Sequence, residues 1–232
     1  MLSMRDISKV YRTDVVETHA LREFSLTVDE GEFVSVTGPS GSGKTTFLNI
    51  AGLLEEFSNG TYELDGRNVS SLNDSERSRL RNEKIGFIFQ SFNLIPELDI
   101  FDNVDVPLRY RGFGTAERRK RIERVLDVVG LGSRRSHLPS QLSGGQQQRA
   151  AIARALAGEP RFLLADEPTG NLDSSMAESV MDLLTDINND GTTIIMVTHE
   201  PNLAARADRN IYVRDGQVGT TTPELQLAAA SA

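Results

Sequence analysis

Hydrophobic and polar residues alternate along the first 37 positions, and this pattern predicts strands at the start of the chain. Phe24, Leu26 and Val28 are separated by polar residues, as in a half-buried strand. Asp29-Glu30-Gly31 then predicts a turn, and the apolar strand Phe33–Val36 follows it. We therefore expect an antiparallel β part at the N-terminus.

Later segments alternate between helical stripes and short apolar strands. Short strands are predicted at Ile85–Phe89, Phe162–Ala165 and Thr193–Val197, and hairpin turns at Asp65-Gly66 and Asp215-Gly216. Helical faces are predicted for Phe47, Ile50, Ala51 and Leu54, for Ile122, Val125, Leu126 and Val129, and for Val180, Leu183, Leu184 and Ile187. Alternating strands and helices predict an α/β fold with a largely parallel sheet covered on both faces.

The pattern also suggests how the chain is divided. We expect one domain over residues 1–220, with a core at 1–90 and 159–220 and an inserted helical lobe at about 91–158. Residues 221–232 carry no pattern, and we expect them to form a flexible tail.

Composition narrows the class of protein. The chain has 232 residues, of which 38% are hydrophobic and 25% charged, as is ordinary for a globular domain. It has no cysteine, which excludes cysteine-ligated zinc and thiol redox chemistry. The net charge of -8 gives no basic field, so no nucleic-acid partner is expected. A basic run, Arg118-Arg119-Lys120-Arg121, is interpreted as a solvated helix face or as a contact surface for a partner.

No apolar run approaches the roughly 18 residues of a membrane span, and the N-terminus shows no secretion signal. We therefore expect a cytoplasmic chain, so any work in the membrane would belong to another subunit.

The strongest motif follows the strand Phe33–Val36 and precedes the first predicted helix. It matches the phosphate-binding pattern G-x-x-x-x-G-K-[ST]. Glycines allow backbone N–H groups to wrap a polyphosphate, and the helix N-terminus adds positive charge. Lys44 is predicted to reach the β- and γ-phosphates, and the Thr45 hydroxyl to bind Mg²⁺. The predicted nucleotide-binding residues here are Gly38, Pro39, Ser40, Gly41, Ser42, Gly43, Lys44, Thr45 and Thr46.

Two carboxylates end the strand Phe162–Ala165. Asp166 lies at the carboxyl end of a buried strand, where ligands bind in open parallel sheets, and is a candidate Mg²⁺ ligand. Glu167 is adjacent and is the candidate general base for an attacking water. Solvated carboxylates at a strand end are the structural alternative.

A pentapeptide, Leu142-Ser143-Gly144-Gly145-Gln146, precedes a helix-forming run that ends near Gly158. Ser143 is a good N-cap, so this segment predicts a second helix start suited to an anion. Kinases, GTPases, helicases and transporter motors share the first motif, but this pentapeptide is typical of one family.

Over nearly its whole length the chain resembles the nucleotide-binding subunit of an ABC transporter, with a P-loop NTPase (RecA-like) core. The resemblance implies further roles. Tyr11 would stack on adenine, and Gln90 would contact Mg²⁺ and the water. Gly170–Asp173 would form the D-loop, which crosses the dimer interface, and His199 would contact the γ-phosphate. Ser143, Gly145 and Gln146 would bind the ATP held by a second copy.

The narrower resemblance is to the lipoprotein-release and macrolide-export branch. It is carried by Gly86–Pro96, Leu142–Arg149 and Ala165–Ser174, whereas Ala51–Gly60 departs from the branch's usual Gly-Leu-Asp…Pro-Thr-Ser-Gly. This resemblance implies an ATPase that uses ATP and Mg²⁺ and closes as a head-to-tail dimer. It also implies a membrane permease partner, with four spans and a large extracytoplasmic domain. A soluble ABC ATPase of repair or translation and a non-hydrolysing clamp are the alternatives.

Overall fold

The computed structural model describes residues 1–12 and 16–219, which form two compact units. Of the described residues, those within Met1–Leu72 and from Val197 to Gly219 belong to unit 1, and Asn73–Met196 form unit 2. The predicted tail, 221–232, lies outside the described residues. The predicted helical lobe falls within unit 2 and stays a prediction as a separate body.

Each unit combines strands and helices. In unit 1 these are β1 (Leu2–Arg12), β2 (Glu17–Val28), β3 (Phe33–Thr37), α1 (Lys44–Ala51), β4 (Asn59–Leu64), β5 (Arg67–Asn68), α7 (Pro201–Ala204), β9 (Arg209–Arg214) and β10 (Gln217–Gly219). In unit 2 they are α2 (Asp74–Lys84), β6 (Ile85–Phe89), α3 (Ile100–Tyr110), α4 (Thr115–Val128), α5 (Gly144–Leu156), β7 (Phe162–Asp166), α6 (Ser174–Asn189) and β8 (Thr193–Val197), whose last residue belongs to unit 1.

Unit 1 contains the predicted antiparallel sheet. Its strand order is β2-β1-β4-β5, with Leu2 opposite both Val28 and Leu64. The alternating residues of β2 are buried as predicted, and the ring of Phe24 lies 4.9 Å from that of Phe47 on α1. This contact anchors the helix that follows the phosphate-binding motif.

A second group of strands in unit 1 surrounds β3. β3 pairs in parallel with β9, and β9 pairs with β10 as the predicted C-terminal hairpin. The Ser35 hydroxyl donates to the Ala204 carbonyl at 3.1 Å, and the Thr198 N–H donates to the Val36 carbonyl at 3.2 Å. The carboxyl end of β3 is therefore held on one side by β9 and on the other by the segment that carries His199.

Unit 2 is built from short parallel strands and amphipathic helices. β6 pairs in parallel with β7, and Phe89 lies opposite Asp166. The predicted apolar stripes of α4 and α6 are buried, which confirms both helices. The basic run of α4 forms ion pairs within the unit, including Arg118 with Asp105 at 2.8 Å and Arg121 with Glu117 at 2.7 Å. These pairs favour a structural interpretation of the run.

Two of the differences between the structure and the sequence predictions concern α1 and α2. Leu54 is not on the α1 face, because α1 ends at Ala51 and the Leu54 side chain is 49% exposed. Helix α2 was not predicted, because only its Leu80 is buried and no apolar stripe is visible in the sequence. Its Asn73–Glu76 capping box was the available signal.

Within residues 1–12 and 16–219, no helix is both long enough and apolar enough to cross a membrane.

Candidate active site

The loop before α1 is shaped by its glycines. Gly38 has φ 148°, and a Cβ there would lie 2.0 Å from the Val213 carbonyl oxygen. Gly43 has φ 105°, and its Cβ would lie 2.5 Å from the Ala20 carbonyl oxygen. Real side chains cannot approach backbone this closely, so both positions require glycine. The loop therefore packs closely against β9 at Gly38 and against β2 at Gly43, and no Cβ atom projects from either position.

The start of α1 suits an anion. Its N-cap is Gly43, no side chain caps it, and its first turn contains no acidic residue. The Lys44 ammonium donates to the Gly38 and Pro39 carbonyls at 2.7 and 2.9 Å, so it lies over the same loop. The Ser42 hydroxyl is buried and has no hydrogen-bond partner among the described residues. A helix N-terminus, an ammonium and an unpaired hydroxyl together fit a polyphosphate.

Tyr11 lies beside this loop on β1. Its ring is 40% exposed, its hydroxyl donates to Glu55 at 2.8 Å, and the Lys9 ammonium lies 4.9 Å from the ring centroid. Burial and the bond to Glu55 raise the pKa of Tyr11, while a hydrogen bond with Thr46 lowers it. Glu55 belongs to the segment Ala51–Gly60 that departs from the branch pattern, and it accepts the hydrogen bond of the Tyr11 hydroxyl.

His199 also lies at this end of unit 1. It directly follows β8, and the bond from the Thr198 N–H to the Val36 carbonyl places it at the end of β3 from which the Gly38 loop leaves. The Glu200 N–H donates to the Thr198 hydroxyl at 3.1 Å and fixes the turn. The His199 side chain is exposed. Unit 1 thus contains Tyr11, the Gly38–Thr45 loop and His199.

Asp166 and Glu167 end β7 as predicted. The β7 residues before them are fully buried, whereas both carboxylate residues are half-buried. Glu167 has φ 48°, a left-handed conformation that costs an ordinary residue about 1–2 kcal/mol. Strained residues of this kind cluster at functional sites. The turn is closed by the Gly170 N–H, which donates to the Glu167 carbonyl at 3.0 Å.

Gln90 is tied to the D-loop in unit 2. It directly follows Phe89, the residue opposite Asp166. Its side-chain amide donates to the Asn171 side-chain oxygen at 3.3 Å, and the Asn171 amide donates to the Gln90 carbonyl at 3.1 Å. A Cβ on Gly170 would lie 2.7 Å from the Gln90 amide nitrogen. The glutamine, the strand-end carboxylates and the D-loop therefore form one contiguous group.

Ser143 caps α5 as predicted, within a full capping box. Its hydroxyl accepts from the Gln146 N–H at 3.3 Å, and the Gln146 side chain accepts from the Ser143 N–H at 3.0 Å. The Gly145 N–H donates to the Met176 thioether at 3.2 Å. Asp173 caps α6 by accepting from the Met176 N–H at 2.9 Å, and this bond lowers the pKa of Asp173.

Two side chains of α5, the buried Gln148 and the half-buried Arg154, connect the helix to neighbouring loops of unit 2, and neither role was predicted from the sequence. The Gln148 amide donates to the Pro168 carbonyl at 2.6 Å, just after Glu167. The Arg154 guanidinium donates to the Phe92 and Asn93 carbonyls, and both acceptors have positive φ. A lone arginine on an alanine-rich helix face was the available signal.

Comparison with known proteins identifies the family of this chain. Residues 21–170 match the sequence profile of the family described as ABC transporter. The chain is 47% identical over 218 residues to the ABC transporter ATP-binding protein YknY of Bacillus subtilis, covering 94% of this chain and 95% of that one. It is 48% identical over 222 residues to the macrolide export ATP-binding/permease protein MacB of Brucella melitensis, covering 96% of this chain but only 34% of MacB.

A solved structure also matches the fold of this chain. The dimeric ABC transporter cassette MJ0796 matches with a TM-score of 0.85 and 45% identity, covering 94% of this chain and 96% of that one. The same cassette has also been solved as a dimer in a post-hydrolysis state with ADP and Pi.

These matches confirm the predicted P-loop NTPase fold and the resemblance to the macrolide-export branch, and they favour a transporter ATPase over a soluble ABC protein of another function. The chain belongs to the ABC transporter family, as an ATP-binding and ATP-hydrolysing member.

Proposed function

We propose that two copies of this chain close head to tail on two ATP molecules and that closure and hydrolysis drive a separate membrane subunit. One observation carries this proposal. The chain has two helix N-termini suited to phosphate, at α1 in unit 1 and at α5 in unit 2. In a head-to-tail pair, the α5 start of one copy covers the γ-phosphate bound at the α1 start of the other. The dimers solved for the similar cassette MJ0796 support a dimeric state for this chain.

Unit 1 supplies the groups that first bind ATP. The backbone of the Gly38–Thr45 loop and the Lys44 ammonium bind the phosphates, and Tyr11 stacks on the adenine. The orphaned Ser42 hydroxyl and the uncapped α1 start support this role, because both are polar groups that lack a partner within the described chain. The partner copy contributes Ser143, Gly145 and Gln146, and Asp173 lies at the same interface.

The residues present also fit Mg²⁺. Thr45, Asp166 and Gln90 offer oxygen atoms, which this hard cation prefers. Phosphate oxygens of the bound nucleotide and water would complete the coordination, as is usual for Mg²⁺. The ion would neutralise charge that develops on the phosphates.

Hydrolysis is assigned to two residues. Glu167 accepts a proton from the water that attacks the γ-phosphate in line, and the His199 side chain holds the phosphate in position. The α5 start of the partner copy stabilises the developing negative charge, as an arginine finger does in other P-loop enzymes. Loss of the shared γ-phosphate then lets the dimer open.

We assign the chain to the cytoplasmic face of the membrane, bound there through a permease. The permease is proposed to have four spans and a large extracytoplasmic domain, on the strength of the macrolide-export resemblance. A co-purifying membrane protein identifies this partner. Recovery of a permease without that domain would contradict the narrower assignment.

The substitution Glu167→Gln tests the catalytic assignment. This substitution removes the carboxylate base but keeps the size and shape of the side chain. We therefore expect ATP binding to persist, a dimer to accumulate and phosphate release to fall by about 10²–10⁴-fold. Glu178→Gln, at an exposed position of α6, is the matched control and should hydrolyse at the parental rate. A Glu167→Gln protein that hydrolyses ATP as fast as this control would contradict the assignment. No phosphate release by the parent would instead favour the non-hydrolysing clamp.

A further inference from the structure

The side chain of Met176 covers the start of α5. Its sulfur accepts the N–H of Gly145, the second residue of the helix, at 3.2 Å. A Cβ on Gly145 would lie 3.0 Å from this sulfur and 3.2 Å from the Met176 Cγ, so the thioether packs directly on the glycine. Gly145 is buried, and its N–H is shielded as well as bonded.

Met176 is itself fixed at its backbone. It lies in the first turn of α6, where its N–H donates to the Asp173 carboxylate. Its side chain is half-buried and borders a cavity of about 250 Å³, whose lining includes Ser143, Gly145, Gln146, Arg149 and Ser179. A methionine has three rotatable side-chain bonds, so the thioether has both the freedom and the room to move aside while the backbone stays in place.

The energetics favour exchange at this position. A buried N–H without a partner is destabilising, so an acceptor is needed while no phosphate is present. A thioether is a weak acceptor, whereas a phosphate oxygen forms a charge-assisted bond that is roughly twice as strong as a neutral one. Met176 therefore satisfies the N–H at a strength that a phosphate can easily exceed.

We propose that Met176 is a positioning residue that occupies the Gly145 N–H until the γ-phosphate of the partner's ATP displaces it, and so sets the concentration at which the dimer closes. This inference rests on the proposed head-to-tail dimer. The thioether acts through Gly145 and touches no reacting atom.

Two substitutions with opposite expected effects test it, in a Glu167→Gln background that holds the closed state. Met176→Leu keeps the volume and removes the acceptor, so the N–H gains a partner only on closure. We expect a dimer dissociation constant about tenfold lower, because each dimer engages two such turns. Met176→Gln keeps an unbranched chain and supplies a stronger acceptor, so we expect a constant about tenfold higher.

The dimer constants are measured by sedimentation at saturating Mg-ATP. Met181→Leu, a buried substitution on the same helix, is the matched control and should leave the constant unchanged. A second readout is amide hydrogen exchange at Gly145 without nucleotide, which should speed up in Met176→Leu and not in Met181→Leu. This readout reports on the hydrogen bond and does not require dimerisation.

The outcomes are distinct. Equal constants for all Met176 variants, a shift in the same direction for Leu and Gln, or unchanged Gly145 exchange in Met176→Leu would each overturn the inference. A Glu167→Gln parent that stays monomeric would contradict the proposed dimer itself. In that case unchanged exchange at Gly145 would show that the thioether does not occupy the N–H either.

Discussion

The helix starts of α1 and α5 are both suited to phosphate, but they are built differently. At α1 the backbone alone shapes the helix start: Gly43 is left-handed, and no side chain caps the helix. At α5 side chains bond to the helix start: Ser143 and Gln146 form a reciprocal capping box, and the Met176 sulfur accepts a hydrogen bond from the Gly145 N–H. The α1 start is therefore prepared for an anion, whereas N–H groups of the α5 start already donate to side chains of the same chain.

This difference suggests an order of events. A start with uncommitted N–H groups binds phosphate without giving up other contacts, so α1 is the natural site of first binding. A start that is already capped must exchange existing bonds, so α5 engages only when a phosphate is presented to it. The two helix starts therefore differ in how readily each could accept an anion.

The largest effect should come from the backbone of the α1 start. Gly43→Ala introduces a Cβ 2.5 Å from the Ala20 carbonyl at φ 105°. We expect the free energy of unfolding to fall by about 3 kcal/mol and ATP affinity to fall about a hundredfold, as measured by denaturation and nucleotide titration.

Gly31→Ala provides the control for Gly43→Ala. Gly31 has φ 80° but nothing lies within 4 Å of its Cβ position, so the substitution should cost about 1–2 kcal/mol and leave ATP affinity intact. Equal losses of affinity in the two variants would contradict the importance of the close approach.

The next effect concerns the other end of α5. Arg154→Met removes the guanidinium bonds to the Phe92 and Asn93 carbonyls, so we expect the free energy of unfolding to fall by about 2 kcal/mol. Cleavage near residue 92 in limited proteolysis should increase. Arg124→Met, which breaks an exposed ion pair with Glu159, should cost less than about 1 kcal/mol. If Arg154→Met lowers the free energy of unfolding no more than Arg124→Met does, the bonds from Arg154 to the Phe92 and Asn93 carbonyls do not stabilise the fold.

A smaller effect separates capping from phosphate binding. Ser143→Ala and Asn73→Ala each remove one capping box, so each should lower the free energy of unfolding by about 1 kcal/mol. Only Ser143→Ala should also weaken ATP-driven dimerisation in a Glu167→Gln background, as measured by sedimentation. A matching loss of dimerisation in Asn73→Ala would assign the effect to stability alone.

The smallest effect is a pH dependence at Asp173. Its hydrogen bonds to Met176 and Ser175 depress its pKa, so the stability they add is present above the unfolded value of about 4 and is lost as pH falls through the folded pKa. The variant Asp173→Ser keeps a cap but carries no charge. Below about pH 4, the Tm of the parent should therefore fall relative to the Tm of Asp173→Ser. A difference that stays constant down to pH 3 would contradict this linkage.

Much of the fold could be predicted because its elements leave clear periodic patterns. The strand Ile85–Phe89 and the stripes of α4 and α6 have the predicted positions, since burial on one face enforces the spacing. Helix α2 leaves no such pattern, because its stability depends on a capping box and on charges at its ends. Leu54 continues the α1 pattern in the sequence but follows the end of the helix.

The site was predictable to the extent that its motifs are local. The glycines of the α1 loop and the Ser143 cap are local features, so their positions and backbone requirements are visible in the sequence. Arg154, Met176 and Glu55 were not found, because their roles depend on contacts between residues far apart in the chain. No sequence pattern indicates which buried N–H a methionine sulfur will cover.

The C-terminal hairpin has a practical consequence for anyone who shortens or tags the chain. The Val213 carbonyl faces Gly38, and the Gly216 N–H donates to the Ser42 carbonyl at 2.9 Å. β9 and the turn after it therefore support the Gly38–Thr45 loop, which lies far earlier in the chain. A truncation that removes this hairpin would disable nucleotide binding without touching its motif. Fusion partners are better joined beyond Gly219.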